Sequence, residues 1–393
     1  MSDHDIFILD GARTPFGAFG GAFKDTSATD LGVVAAEAAM ERSGVEPAQI
    51  DQVFFGNVMQ TSADAIYLAR HVGLRSGVRQ EVPALTLNRL CGSGTQAIIS
   101  AAQAIQLGEA SVCLAGGSEN MSQAPFLVRG ARWGLRLGNT EFHDYLWESL
   151  TDSFCGFDMA HTAENLADRF GISRQETDEY ALRSQHLTQA ATESCYMTEE
   201  IVPVPVQTRK GTVNVDRDEH PRPETTLEAL SKLKPYFKQD GVVTAGNASG
   251  IVDGAAAVVV ASGERLDGKK PLGRIVSWAV VGVEPAVMGI GPARAIPMAL
   301  QRAGLSLDDV DLIEINEAFS AQYLAVEKEL GLDRDKVNVN GGAIAIGHPL
   351  GASGTRLPLT VLHELRRRGG GVGVASACIG GGQGIALVVQ AEG

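Results

Sequence analysis

Asn88-Arg89-Leu90-Cys91-Gly92-Ser93-Gly94-Thr95-Gln96 reads as the turn between a strand and a helix. Before it, Val82-Pro83-Ala84-Leu85-Thr86-Leu87 has the composition of a short buried strand; after it, Ala97, Ile98, Ala101, Ala102 and Ile105 recur at helical spacing. Cys91 is therefore expected at the mouth of a helix. There unpaired amides and the positive end of the helix dipole favour a thiolate, and the flanking glycines admit a substrate close to the backbone. A free cysteine is more often simply buried. The nucleophile reading needs a base and a second proton-transfer group elsewhere in the chain.

The unit occurs twice. Shifting the chain by 260 residues puts Ser93-Gly94-Thr95 on Ser353-Gly354-Thr355, Gly44-Val45 on Gly304-Leu305, Ile50-Asp51 on Val310-Asp311, and Val112, Leu114 and Ala115 on Val372, Val374 and Ala375. One register without a gap implies two copies of one α/β unit, packed about a pseudo-two-fold axis so that equivalent loops meet. In that register Ser118 falls on Cys378, and the loop after Phe55 falls on Asn316-Glu317.

Around these units the order of elements is α/β. Ile6 to Leu9 predicts a strand, Gly11 to Gly17 a loop, Asp30 to Arg42 an Ala-rich helix, Val53 to Phe55 a strand, Ala65 to Val72 a helix, and Val112 to Ala115 a strand ending at Gly116-Gly117. From Glu119 to Gly246 the texture changes to isolated helices (162–170 and 174–194) and the polar run Arg209 to Pro223, as expected of a lid or subunit contact grafted on a rigid scaffold. A small-residue turn, Thr244 to Gly250, then feeds a buried strand, Asp253 to Val260. The expected division is 1–118 with 247–266 as an N-terminal half, 119–246 as an inserted loop domain, and 267–393 as a C-terminal half.

At 393 residues, with 33 basic and 47 acidic side chains, the chain carries a net charge of −14 and offers no basic field to nucleic acid or an anionic membrane. Its five cysteines (91, 113, 155, 195, 378) have no metal-like spacing and suit a reducing compartment. The opening Met1 to Asp10 lacks a basic segment followed by an apolar run, so no secretory signal or membrane span is expected.

The second half carries three further polar features. Asn316-Glu317 lies where a strand gives way to a helix, a place that suits an N-cap as well as a site. His348 stands between Gly347 and Pro349 in the glycine-dense loop Asn340 to Gly354, and Cys378 precedes Gly380-Gly381-Gly382 in what reads as a backbone-accessible turn. No Lys-Ser/Thr pair follows either glycine run, which argues against a phosphate loop, and no G-x-G-x-x-G follows the first strand, which disfavours a nicotinamide dehydrogenase. A nucleophilic Cys, a His to take its proton and a second Cys to move another proton suit carbon–carbon bond formation or cleavage beside a thioester.

The motifs Asn88–Gly94, Thr244–Gly250, Asn316–Phe319, Gly341–Gly354 and Cys378–Gly384, in this order, resemble those of the thiolases over essentially the whole chain. The resemblance implies the thiolase fold, a duplicated five-layer α/β/α/β/α sandwich with an inserted loop domain. It implies Cys91 as the acyl-carrying nucleophile, His348 as its activator and Cys378 as acid/base at the acetyl carbon. Asn316, through a held water and with His348, would form one oxyanion hole, and the amides of Cys91 and Gly380 the other. The stretch from Asp218 is similar to the family's CoA-binding segment and carries over Arg222 and Thr225, with Ser249, as CoA contacts. Coenzyme A is then a co-substrate, with no permanently bound cofactor, no metal, acyl-CoA as the other ligand, and a homodimer or homotetramer as the assembly. Location would be the cytoplasm in a bacterium or the mitochondrial matrix in a eukaryote.

The chain departs from the family pattern at two positions, of which Asp158 bears on the substrate and Ser320 puts little in doubt. Asp158 stands where many acetoacetyl-CoA thiolases have His, and Gly130–Gly134 through Trp147–Asp152 is more similar to the mitochondrial-type 3-ketoacyl-CoA thiolases; Ser320 replaces a common Ala. The expected reaction is thiolysis of 3-ketoacyl-CoA to acetyl-CoA and a shortened acyl-CoA, with acetoacetyl-CoA synthesis as the alternative. A decarboxylating ketoacyl synthase would need Cys-His-His, against Asn316 and Cys378. A silent CoA-binding protein on this fold would be expected to have lost Cys91, His348 or Cys378, and all three are present.

Overall fold

The computed structural model describes residues 5–392. Met1 to His4, part of the opening read above for a secretory signal, and Gly393 lie outside the described residues. The first repeat comprises β1 (Ile6–Arg13), α1 (Ala28–Ser43), β2 (Gln52–Gly56), α2 (Leu68–Arg75), β3 (Ala84–Leu87), α3 (Ser93–Gln106) and β4 (Val112–Glu119). The intervening segment holds α4 (Met159–Phe170), α5 (Arg174–Glu193) and a hairpin of Val204–Thr208 with Gly211–Val215, and β5 (Val252–Ser262) returns to the first repeat. The second repeat comprises β6 (Gly273–Gly282), α6 (Gly291–Ala303), β7 (Leu312–Ile315), α7 (Ser320–Leu330), α8 (Leu350–Arg367), β8 (Gly370–Ile379) and β9 (Gln383–Glu392).

Pairing reproduces the repeat for four strands of each half, β3 being extra in the first. The sheet runs β7-β8-β9-β6-β1-β5-β4-β2-β3. In the first half β2 pairs parallel with β4, β4 antiparallel with β5, and β5 antiparallel with β1; in the second β7, β8, β9 and β6 repeat that sequence of pairings. The halves join where β1 and β6 pair antiparallel through Ile6 to Ile8. The pseudo-two-fold therefore passes between two equivalent strands.

Strand alternation builds the layers. On β5, Val259 and Ala261 face α1 and α2 with Leu31, Ala35 and Val72, while Val258 and Val260 face the central helices with Ile98, Ala101 and Leu357. On β9, Leu387 and Val389 join that central core, while Val388 turns outward to Ile296, Ala299 and Leu324 of α6 and α7. Five layers result, and β5, covered on both faces, is buried from end to end. The two central helices cross at the repeated tripeptide. A Cβ on Gly94 would strike the Thr355 backbone, one on Gly354 would strike that of Thr95, and Thr95 Oγ donates to Gly354 O at 2.8 Å.

Helix ends follow the local sequence. Ser27 and Asp30 form a capping box on α1, Ser173 and Glu176 another on α5, and Gly44 at φ 60° ends α1 in the left-handed region where glycine is unstrained. Some boundaries differ from the sequence reading. β1 continues to Arg13 because β5 runs alongside it to Ala256, so the expected loop at Gly11 begins later. β4 passes through Gly116-Gly117 to Glu119, since a Cβ at Gly117 would collide with Gly351 O, so the glycines serve close approach rather than a turn. The helix expected from Ala65 opens as a 3₁₀ turn at Ala65–Tyr67, and part of the polar run after Arg209 is the hairpin's second strand. β3 is not buried: it is the sheet's outer edge, and Leu85 is 50% exposed.

Candidate active site

Cys91 sits in a 3₁₀ turn, Leu90–Gly92, immediately before α3. Ser93 Oγ ties the turn down, accepting from Arg89 N at 2.9 Å and donating to Leu90 O at 2.7 Å, while Leu90 itself holds the uncommon φ of 47°. Two amides, of Gly380 and of Cys91 itself, donate to its sulfur, as expected near a helix N-terminus. Burial nevertheless dominates and pushes the thiol up to about 11, with Glu119 adding to the rise. Cys91 therefore rests as a thiol that needs a base: the dipole and amides favour the thiolate, but by less than lost hydration costs it.

His348 is buried and lines the same cavity wall as Cys91, that of the larger cavity described below. Its backbone N–H donates to Gly250 O at 2.9 Å, so the small-residue turn at 244–250 fixes the histidine loop. Nδ1 lies 2.6 Å from Ser353 Oγ, and that hydroxyl donates to Pro349 O at 3.0 Å. The hydroxyl proton being used, Nδ1 carries the hydrogen and Nε2 is the basic nitrogen. Burial, and then the nearby Arg356, lower the imidazole to about 3, so it rests neutral. Asn316 Nδ2 lies 3.2 Å from Nε2, and its Oδ1 has no partner among the described residues. Asn316 is not a helix cap: α7 starts four residues later, with Phe319 at the cap position. Glu317 turns away from the site to Tyr180 Oη, Ser184 Oγ, Asn338 Nδ2 and Ile344 N.

Cys378 lies within β8, paired with Gly384 on β9, rather than in the turn that the sequence suggested. The turn follows it, with Gly381 and Gly382 at φ 78° and 84°. A Cβ on Gly382 would press on Val283 O, so this tight reversal requires glycine. Cys378 is fully buried, and burial, then the neighbouring Cys91, push its thiol far up. The fold thus brings Cys91, His348, Asn316, Cys378 and Gly380 together from both repeats.

An apolar cavity of about 380 Å³ opens onto this cluster, lined by Cys91, His348, Ser249, Trp147, Met288 and Phe319 among others. A second, of about 210 Å³, reaches Cys91 from the side of Ser149–Ser153, Met159, Gly380 and Gly381. Leu150, Met159 and Leu350 border both. Ser249 thus lies in the cavity wall, whereas Arg222 and Thr225 lie outside it. Arg222 is exposed, with Nη1 curled onto the carbonyls of Glu219, His220 and Pro221, and Thr225 Oγ donates to Arg222 O at 2.6 Å. The segment is anchored from below. Asp218 takes both Arg13 Nη atoms at 2.7 and 3.0 Å, and His220 Nδ1 lies 2.8 Å from Ala345 O in the histidine loop. Asp158 caps α4, accepting from His161 N at 2.9 Å, with one edge on the larger cavity. The sequence reading missed Ser353 as the partner of His348; its only signal was its place in the repeated tripeptide. It also missed Glu119, which had no motif to mark it.

Residues 6–264 match the model of the thiolase N-terminal domain, and residues 269–391 that of the thiolase C-terminal domain. The chain belongs to the thiolase family and is an acyltransferase. It is 56% identical to human mitochondrial 3-ketoacyl-CoA thiolase over 388 residues, 98% of each chain. The crystal structure of that human enzyme in complex with CoA superposes with a TM-score of 0.96 at 55% identity, covering 99% of this chain and 98% of that one. The acetyl-CoA acetyltransferase of Bacillus anthracis superposes at 0.97 with 48% identity over 99% of each chain. Both subtypes weighed from the sequence thus occur among the relatives, and the 3-ketoacyl-CoA thiolase reading fits them best.

Proposed function

We propose that this protein cleaves 3-ketoacyl-CoA with CoA, giving acetyl-CoA and an acyl-CoA two carbons shorter, and that the reaction also runs in reverse as a Claisen condensation. The observation that carries the reading is a pair of neighbouring buried thiols, Cys91 and Cys378, with a neutral histidine, His348, on the wall of the apolar cavity that Cys91 also lines. Cys91 gives its proton to His348 Nε2 and attacks the 3-keto carbon. The C2–C3 bond breaks, its electron pair forms the acetyl-CoA enolate, and Cys378 protonates C2. CoA thiol then gives its proton to the Cys378 thiolate and attacks the acyl-enzyme; Cys91 leaves and recovers its proton from His348.

The raised pKa of Cys378 suits an acid that must hold its proton until the enolate forms. The Gly380 and Cys91 amides suit the tetrahedral oxyanion, and Asn316, through a water, suits the enolate oxygen with His348. The larger cavity suits the pantetheine arm past Ser249, with Arg222 and Thr225 at the nucleotide end, and the smaller one the acyl chain. No cofactor beyond the CoA substrates is required. The exposed edge strand β3 and the exposed apolar loop bearing Trp133, Leu137 and Phe142 favour a homodimer or homotetramer. In a bacterium the enzyme would work in the cytoplasm, in a eukaryote in the mitochondrial matrix. Intact-protein mass spectrometry after adding 3-ketoacyl-CoA is the test: wild type gains an acyl mass and C91A does not, and an adduct on C91A overturns the assignment.

A further inference from the structure

Glu119, the last residue of β4, is a fully buried carboxylate with no role in that chemistry. Oε1 accepts from Met59 N at 3.0 Å and Asn57 Nδ2 at 3.1 Å; Oε2 accepts from Val58 N at 3.0 Å and Gly351 N at 2.9 Å. These donors belong to two separate pieces of the site. Val58 and Met59 pack in one apolar cluster with Cys91 and Leu350. Gly351 lies in the first turn of α8, the helix that follows His348 and supplies Ser353 to its Nδ1. At the other end of the histidine loop, Glu317 accepts from Ile344 N at 3.1 Å. The loop is thus pinned at both ends by buried carboxylates, and only the Glu119 end is tied to the wall behind Cys91.

We propose that Glu119 is a positioning residue that sets His348 against Cys91 by joining the 57–59 loop to the start of α8. Among the described residues no cation pairs with it, and burial pushes its carboxyl up to about 7 against the three backbone amides of Met59, Val58 and Gly351. Four donors on two oxygens admit no substitute of the same shape. In E119Q the amide nitrogen replaces one oxygen and meets two N–H groups that it cannot accept from.

The inference rests on reading Cys91 as nucleophile and His348 as its base. In full-length E119Q, kcat should fall on the order of 10²-fold, the cost of about 1 Å of misplacement, with KM for both CoA substrates within about threefold of wild type. Loss of the Glu119 charge by itself would lower the Cys91 thiol and speed its alkylation by iodoacetamide, so slowing in E119Q, as in H348A, read by peptide mass spectrometry, marks displacement of His348, and E119Q/H348A should be no slower than H348A alone. A multiplicative fall in the double variant, or wild-type kcat in folded E119Q, overturns the proposal. If H348A slows alkylation and E119Q does not, the proposal alone fails; if H348A does not slow it, the base assignment fails and takes the proposal with it. Should E119Q not fold, E119D keeps the charge one methylene short. It should lose kcat about tenfold at unchanged KM, and wild-type kcat there overturns the proposal as well.

Discussion

Ser353 Oγ accepts a hydrogen bond from His348 Nδ1 at 2.6 Å while donating its own proton to Pro349 O. The serine thereby fixes the tautomer that leaves Nε2 free, and it steadies the imidazolium once a proton arrives. A hydrogen bond to a charged group contributes about 1.5–3 kcal/mol, so S353A should lower kcat roughly 10–100-fold with little change in KM. S353T, which keeps the hydroxyl, should recover much of the loss. Steady-state thiolysis decides it: a rise in KM at unchanged kcat would assign Ser353 to substrate binding instead.

The free enzyme should hold Cys91 and His348 as a neutral pair across the neutral range. Burial holds the thiol up at about 11 and the imidazole down at about 3, so both lose charge for the same reason. The sign follows directly: at pH 7 the thiol is protonated, and the thiolate fraction rises about tenfold per pH unit until the medium approaches the thiol's own value. Iodoacetamide alkylation of Cys91 without substrate should therefore climb from pH 6 to pH 9 with no plateau, above a pH-independent part in which His348 takes the thiol proton and which H348A loses. A plateau near pH 7 would reveal a resting thiolate–imidazolium pair.

Much of this site is legible in the sequence because glycine punctuates it. Cys91, His348 and Cys378 each stand within two residues of a glycine against which another side chain packs closely, Ile379 on Gly92, Val252 on Gly347 and Met159 on Gly380, and the repeated Ser-Gly-Thr marks the place where the two central helices cross. Quantities set by three-dimensional surroundings are not legible. The helix-mouth argument pointed to a Cys91 thiolate, but the Val58, Met59, Met121, Leu146 and Leu350 cluster that desolvates it is drawn from far along the chain. Glu119 reaches Gly351 across 232 positions, a relation with no local pattern. Asp158 and Asn316 show the converse: both suit a cap by composition, and only the structure separates the one that caps α4 from the one that turns to His348.

Cys378→Ala should separate the two half-reactions. Transfer of an acyl group from acyl-CoA to Cys91 needs no proton at the acetyl carbon, so the variant should still become acylated. Exchange of acetyl-CoA α-protons with deuterium from solvent should fall on the order of 10²–10⁴-fold, the usual worth of a general acid–base group. Mass spectrometry and NMR read the two effects independently. Undiminished exchange would transfer the role to another side chain.

Chain length should be governed by the smaller cavity beside Cys91, whose wall from Ser149 to Ser153 belongs to the segment between the repeats. Its lining is mostly apolar, with Leu90, Leu150, Met159 and Leu350, and it abuts the larger cavity instead of ending blind at the sulfur. Each methylene admitted to an apolar pocket contributes about 1–3 kcal/mol of discrimination, so an open pocket rewards longer chains. The enzyme should accordingly process six-carbon and longer 3-ketoacyl-CoA at least as well as acetoacetyl-CoA. Ser149 borders the smaller cavity alone, and its hydroxyl only closes a helical turn onto Tyr145 O. S149W should therefore fill the acyl side without touching the route past Ser249. The expected result is a tenfold or greater loss of kcat/KM on six-carbon substrates, with acetoacetyl-CoA cleavage within about threefold of wild type. A wild-type enzyme whose kcat/KM falls tenfold or more from four to six carbons would restore the acetoacetyl-CoA reading, and equal losses on both substrates in S149W would move the acyl chain to the other cavity.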